Sequence, residues 1–219
     1  MQVSVLTVER KVLEKNDVIA AANRSLLQSH NLFTINLVSS PGSGKTSLVE
    51  KTIGFCKSSI KFGVIEGDIQ TDLDARRVDA LGVPVVQIVT HGACHLEAAL
   101  VSDSLKQLPL PSLDFLIIEN VGNLVCPSGY DLGEDMKVVV VSTTEGDDKP
   151  LKYPAMFRNA SALVINKIDL IPYLNSSLEV LENNALSINP DLKIFRTSCT
   201  SGEGIEQWCG WLQSLNKKR

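Results

Sequence analysis

The stretch LVSSPGSGKTSLVE, residues 37–50, constrains the fold of this 219-residue chain more than any other feature. A glycine-rich turn separates an apolar run ending at Ser39 from a segment of helical spacing that opens at Lys45. Glycine, four residues, then Gly-Lys-Ser/Thr is the pattern of a phosphate cradle built where a strand hands over to a helix. Here Gly44, Lys45 and Thr46 supply its end, and Ser39 stands at its first position. That position only starts the turn, so Ser39 serves there if its φ stays negative. Pro41, Gly42, Ser43 and Gly44 let successive backbone N–H groups point inward, and the N-terminus of the next helix adds partial positive charge. Lys45 is expected to neutralise the outer phosphates, the Thr46 hydroxyl to ligate Mg²⁺, and Ser47 to continue the cradle.

The same alternation of strand and helix runs through the chain. Short runs rich in valine and isoleucine read as strands buried on both faces at 33–39, 62–66, 85–90, 113–119, 137–142, 162–166 and 192–197. Helix-like segments lie between or after them at 45–57, 71–81, 94–105, 175–187 and 203–215. The pattern predicts an α/β, three-layer, doubly wound domain on a mostly parallel sheet. The stretch up to His30 reads as a helix with Val12, Val18, Ala22 and Leu26 near one face. It is an N-terminal appendage (1–30) or partner surface ahead of the main domain (31–219).

Composition narrows the partners. Hydrophobic residues at 44% and charged residues at 21% suffice for a core. A net charge of −4 argues against a nucleic-acid surface, and Lys217, Lys218 and Arg219 read as a solvated tail. No apolar run approaches the roughly 18 residues of a membrane span. Residues 1–15 lack a secretory pattern, so the expected location is the cytoplasm. The cysteines Cys56, Cys94, Cys126, Cys199 and Cys209 are odd in number, which argues against a disulfide framework.

Asn166-Lys167-Ile168-Asp169 follows an apolar run. Asn-Lys-x-Asp at a strand end reads guanine, because the Asp carboxylate accepts from the ring N–H and the exocyclic amine together. Adenine offers no such pair and would leave the carboxylate unpaired. Downstream, Ser198 and Cys199 match the first two places of a Ser-Ala-Lys loop that supports the base, with Thr200 in place of its lysine. Mg²⁺ needs more oxygen ligands than Thr46 provides. Asp68 and Glu119, each at the end of an apolar run, are the candidate metal-side carboxylates; capping a helix or orienting a water are the alternatives. Gly122 follows Glu119 at the spacing of Asp-x-x-Gly, whose glycine N–H meets a γ-phosphate.

Cys94 and His95 are adjacent where a strand becomes a helix, with His91 upstream and Cys126 just beyond Gly122. Two thiolates and an imidazole suit Zn²⁺ or Ni²⁺ better than hard cations. From spacing alone the metal reading is the weaker one, because a lone Cys-His pair is more often ordinary packing, and His91 reads as a surface histidine. Three ligands do not close a tetrahedral site, and a two-fold dimer would complete one.

Taken together, SSPGSGKTS, EGD, HGACHLEA, FLIIENVGNLVCP, TTEGDDKP, NKIDL and SCTSGEGI resemble the hydrogenase nickel-incorporation GTPases of the HypB family. The likeness spans residues 33–212, and Ser39 and Glu119 are features it shares. It implies a P-loop GTPase of the SIMIBI type, slow in turnover, that dimerises with nucleotide and delivers nickel to the large subunit of [NiFe]-hydrogenase. It maps Cys94, His95 and Cys126 to a Ni²⁺ or Zn²⁺ site near the dimer interface, and it implies a zinc-containing accessory partner, HypA. The chain as printed begins with neither a cysteine motif nor a histidine-rich stretch, and His91 departs from the glycine common in relatives. Alternatives are a urease-type nickel accessory GTPase and a nucleotide-gated scaffold with a structural zinc.

Overall fold

The computed structural model describes residues 8–216, with side chains from residue 13; the basic tail at 217–219, the start of the chain and the side chain of Val12 lie outside this range. Seven strands form one sheet: β1 (Phe33–Ser39), β2 (Phe62–Asp68), β3 (Val85–Val89), β4 (Phe115–Glu119), β5 (Met136–Ser142), β6 (Ala162–Asn166) and β7 (Lys193–Arg196). Every pairing is parallel, in the order β3-β2-β4-β1-β5-β6-β7. The sheet is therefore wholly parallel. Among the described residues eight α-helices accompany it: α1 (Val8–Ser29), α2 (Lys45–Cys56), α3 (Leu73–Asp79), α4 (Ala98–Leu105), α5 (Lys149–Lys152), α6 (Pro154–Arg158), α7 (Leu178–Ile188) and α8 (Ile205–Asn216). None of the described helices is long and apolar enough to cross a membrane.

Alternate residues of the buried strands feed opposite faces, as the two-residue period of a strand requires. Ile35, Leu37, Phe115, Ile117, Val138 and Val140 pack with Leu48 and Ile53 of α2 and Trp208 and Leu212 of α8. On the other face Ile65, Leu116 and Ile118 meet Leu27 of α1 and Val101 and Leu105 of α4. Further along that face, Val139, Val141, Leu163 and Ile165 meet α6 and α7. The three-layer expectation thus holds. β1 lies at the centre, and the order reverses around it, because β2 and β4 fall on one side and β5 on the other. In such sheets ligands bind beyond the carboxyl ends of the strands at that reversal.

The connection from β4 to β5 carries no α-helix. It contains only a 3₁₀ turn, Cys126–Gly129. α1 covers the gap, packing along α4 and onto the turn at 131–134. Its buried stripe is Asn16, Ala20, Asn23 and Leu27, while Val18, Ala22 and Leu26 look outward. Gly133, at φ +98, lets the turn meet α1: a Cβ there would lie 2.7 Å from Asn23 Cβ and 2.9 Å from the Ala20 carbonyl. α4 starts at Ala98 rather than at the expected Cys94, because residues 94–97 are drawn out as a loop. α3 is likewise shorter than expected, and the small helices α5 and α6 lay unread between residues 143 and 161.

Candidate nucleotide and metal site

The turn after β1 is a cradle open to an anion. Gly42 and Gly44 hold left-handed backbone, at φ 75 and 92. A Cβ on Gly44 would lie 2.4 Å from Asn166 Nδ2, so the glycine also admits the base-side loop. α2 begins with no side-chain cap and no acidic residue in its first turn, which leaves its N-terminal N–H groups and positive dipole end facing the cradle. Among the described non-glycine residues only Asn31, His91 and Lys167 have positive φ, so Ser39 meets the condition set for it. Its hydroxyl accepts from Lys45 Nζ at 2.9 Å and donates to the Ser40 carbonyl at 2.6 Å. A glycine at this position could not hold the lysine in that way.

Around the cradle lies a cavity of about 430 Å³ lined by Pro41, Gly42 and Gly44 to Ser47, together with Asp68, Glu119, Gly122 and Lys167. Ser43, Asn166, Asp169, Ser198 and Cys199 do not line it, but Asn166 ties Ser43 and Cys199 together at its edge. Asn166 Nδ2 donates to the Ser43 carbonyl at 3.0 Å, and its Oδ1 accepts from Thr197 Oγ1 and the Cys199 N–H, each at 3.3 Å. Lys167 Nζ donates to the Gly42 carbonyl at 2.6 Å. Ser198 Oγ accepts from the N–H groups of Thr200 and Ser201, which fixes the turn of the supporting loop. Asp169 Oδ1 is buried with no hydrogen-bond partner, as is Ser43 Oγ. A carboxylate oxygen held this way calls for a donor from a ligand.

Thr46 Oγ1 donates to Glu119 Oε1 at 2.8 Å, so the hydroxyl and the carboxyl expected to share a metal are in contact. Asp68 Oδ1 accepts from the N–H groups of Gln70 and Thr71 and from the Thr71 hydroxyl, so one oxygen caps the turn after β2. Partial burial pushes its pKa up, but the N–H bonds and Lys45 hold it below the usual carboxylate range. Sequence reasoning did not single out Glu66. It is buried in this cavity beside Glu119, and burial, then repulsion from Glu119, push its pKa well above normal. Burial also raises Glu119, against the pull of the Lys45 ammonium. Neither Glu66 Oε2 nor Glu119 Oε2 has a partner. Glu119 Oε2, the Thr46 hydroxyl and the Asp68 carboxylate on the same cavity wall form an all-oxygen donor set, which fits Mg²⁺. The only advance signal for Glu66 was an acidic residue ending a run of apolar ones.

Gly122 sits against the cradle: a Cβ on it would lie 3.0 Å from the Pro41 backbone. Four residues on, Cys126 opens the 3₁₀ turn. Its sulfur, that of Cys94 and a ring nitrogen of His95 lie within 4.8 Å of one another. Cys94 Sγ is 3.5 Å from His95 Nδ1. The Tyr130 ring packs on the His95 ring, centroids 4.0 Å apart, and His95 Nε2 is buried without a partner. Burial lowers the His95 pKa, which favours the neutral imidazole a metal requires. Cys126, then burial, push the Cys94 thiol up. The three are partly exposed rather than sealed. His91, exposed and in left-handed backbone, is not among them.

Residues 33–196 match the family model for the CobW/HypB/UreG nucleotide-binding domain. The chain is similar to the hydrogenase maturation factor HypB of Escherichia coli K12, 50% identical over 210 residues that cover 96% of this chain and 72% of that protein. It is similar also to the hydrogenase/urease maturation factor HypB of Helicobacter pylori, 42% identical over 218 residues, with 98% and 88% covered. The crystal structure of H. pylori HypB in complex with nickel superposes with a TM-score of 0.89 at 41% identity, covering 93% of this chain and 96% of that one.

Proposed function

The chain belongs to the CobW/HypB/UreG family, on its HypB branch, and on that footing we propose that it is a GTP-hydrolysing metallochaperone. In this reading it holds nickel or zinc at Cys94, His95 and Cys126 and delivers nickel during [NiFe]-hydrogenase maturation. The observation that carries the reading is the cluster of Cys94, His95 and Cys126, whose last member lies four residues beyond the stretch 119–122 that lines the phosphate cavity. The ligand set suits a borderline metal. The partial exposure of all three residues favours a metal that is passed on over a sealed structural zinc.

The nucleotide half follows from donor and acceptor chemistry. The backbone of Pro41 to Gly44 and the start of α2 cradle the phosphates, Lys45 leaves Ser39 to meet their charge, and Asp169 reads guanine. Thr46, Glu119 and Asp68 are the residues that would hold Mg²⁺, which when bound neutralises charge on the β- and γ-phosphates. Glu66, kept protonated beside Glu119, limits repulsion in the pocket. Gly122 offers its N–H to the terminal phosphate. Because Cys126 follows on the same short segment, the state of that phosphate alters the metal ligands, and by linkage the metal alters nucleotide affinity or association.

Three ligands leave a metal incompletely coordinated, so the reading includes a nucleotide-dependent homodimer that brings two clusters together. A HypA-type accessory protein and the hydrogenase large subunit are its proposed partners, in the cytoplasm. The printed name of the H. pylori relative favours one extension, nickel supply to a urease as well. Metal stoichiometry and oligomer mass, with GDP and with a non-hydrolysable GTP analogue, test the proposal on wild type and Cys94→Ala. Wild type should bind Ni²⁺ with different affinity in the two states, and Cys94→Ala should lose it. Equal affinity in both states refutes the coupling; unchanged binding by Cys94→Ala refutes the site.

A further inference from the structure

The two segments that bear the metal ligands are joined by a closed circuit of buried polar groups. Asn120 directly follows Glu119; its Oδ1 accepts from the N–H of Leu96, the neighbour of His95, at 3.1 Å. Asn120 Nδ2 donates to Asn36 Oδ1 on the central strand at 3.2 Å, and Asn36 Nδ2 donates to Glu134 Oε1 at 3.2 Å. Glu134 Oε2 accepts from the Leu132 N–H at 2.7 Å, on the segment that follows Cys126 and Tyr130. Asn23 of α1 then closes the loop, its Nδ2 donating to the carbonyls of Leu132 at 3.1 Å and Ala98 at 2.9 Å. Asn16 duplicates the last link, accepting from the Ala98 N–H at 2.9 Å and donating to the Asp131 carbonyl at 2.7 Å.

All five side chains are nearly inaccessible: Asn36 0%, Asn120 1%, Asn23 3%, Asn16 6% and Glu134 6% exposed. Polar groups at such depth are retained only where their bonds are satisfied, and a satisfied network fixes one geometry. Four asparagines each bridge two points: Asn16, Asn36 and Asn120 use both ends of the amide, and Asn23 donates twice through Nδ2. None is a metal ligand, and only Asn120 lines the phosphate cavity. We propose that Asn36, Asn23 and Glu134, joined to the nucleotide pocket through Asn120, are positioning residues of the metal site: they set the separation of Cys94 and His95 from Cys126. The inference rests on the metal reading given above. It assigns to α1 a part in metal binding although α1 carries no ligand.

The test uses Ni²⁺ alone, titrated against a chromophoric chelator, on the whole chain with GDP bound. Asn36→Leu keeps the branching and the number of side-chain heavy atoms and removes both bonds. Its Ni²⁺ affinity should fall about tenfold to a hundredfold, the range for groups that orient ligands from behind, while GDP affinity stays within about twofold of wild type. Leu27→Ala, a cavity in α1 that touches none of these bonds, controls for lost stability: it should lower the melting temperature and leave Ni²⁺ affinity near wild type. If Asn36→Leu does not fold, Asn23→Ser decides, since it opens the circuit at the helix. Wild-type Ni²⁺ affinity in the asparagine variants, with binding abolished in Cys94→Ala, overturns this proposal alone. A Ni²⁺ loss in Leu27→Ala equal to theirs overturns it too, reducing the network to general stability. Unchanged binding in Cys94→Ala overturns the metal reading, and this proposal with it.

Discussion

Replacing Asp169 by asparagine tests the guanine assignment directly. Asp169 Oδ1 is buried and has no partner in the protein, so the bonds at stake are those a base would bring. A carboxylate there accepts from two guanine donors, and each hydrogen bond to a charged group is worth about 1.5–3 kcal/mol. Asparagine keeps one acceptor and loses the other, which removes about 1.5–3 kcal/mol, or roughly tenfold to a hundredfold in affinity. Asparagine also turns a donor toward the exocyclic position. Xanthine carries a carbonyl there, so the variant should recover affinity for xanthosine diphosphate. The assay is displacement of a fluorescent nucleotide by GDP and by xanthosine diphosphate, with circular dichroism to verify the fold. A folded Asp169→Asn chain that still prefers GDP would refute the argument, because the buried oxygen would then have no part in reading the base.

Other outcomes follow from the same geometry. Gly44→Ala should abolish nucleotide binding with little loss of helix content, because its Cβ would fall 2.4 Å from Asn166 Nδ2 at φ +92; titration of labelled GDP checks this. Gly133→Ala should lower the melting temperature by roughly 4–8 °C, since strain of about 2 kcal/mol meets the 2–4 °C per kcal/mol of a chain this size. Its Cβ would press on the backbone of α1 at 2.9 Å. Burial works against ionisation of Asp131, but the Arg24 guanidinium and the Gly133 N–H hold its pKa below normal. A depressed carboxylate stabilises the fold above its unfolded pKa and ceases to as pH falls through the folded one. Melting curves should therefore show wild type above Asp131→Asn by a constant margin over about pH 4–7, narrowing below about pH 4. Burial pushes the Cys199 thiol up to about 11, so at pH 8 iodoacetamide should label it far more slowly than an unfolded control.

Much of this was legible because local signals and the global fold agree. All seven strands fall within a few residues of their expected bounds, since the five inner ones are apolar runs covered on both faces, while the edge strands β3 and β7 are partly exposed. The cradle was legible for the same reason: its glycines, lysine and flanking elements are contiguous. What sequence could not supply were partnerships across the chain. Asn36 lies in the middle of an apolar strand and is readable as an oddity, but its partners sit 84 and 98 residues away. The late start of α4 has a like cause: the Leu96 N–H is taken by Asn120, a side chain from another strand end. α1 misled because Val18 and Leu26 look outward, while Asn16 and Asn23 point in beside Ala20 and Leu27. Glu66 escaped because an acidic residue at a strand end has many possible neighbours, and only the fold sets it beside Glu119.

The bare crossover between β4 and β5 gives this architecture a mechanical asymmetry. A segment wound into a helix resists reshaping, because every residue's N–H is committed to a neighbour one turn back. The stretch carrying Gly122 and Cys126 has few such commitments, so its end near the nucleotide can shift while the seven strands beneath stay still. What anchors the chain just beyond it, at Asp131 and Leu132, comes instead from α1, through the amide side chains of Asn16 and Asn23. The moving part and its retainer are thus separate pieces, each free to be tuned by substitution without rebuilding the other.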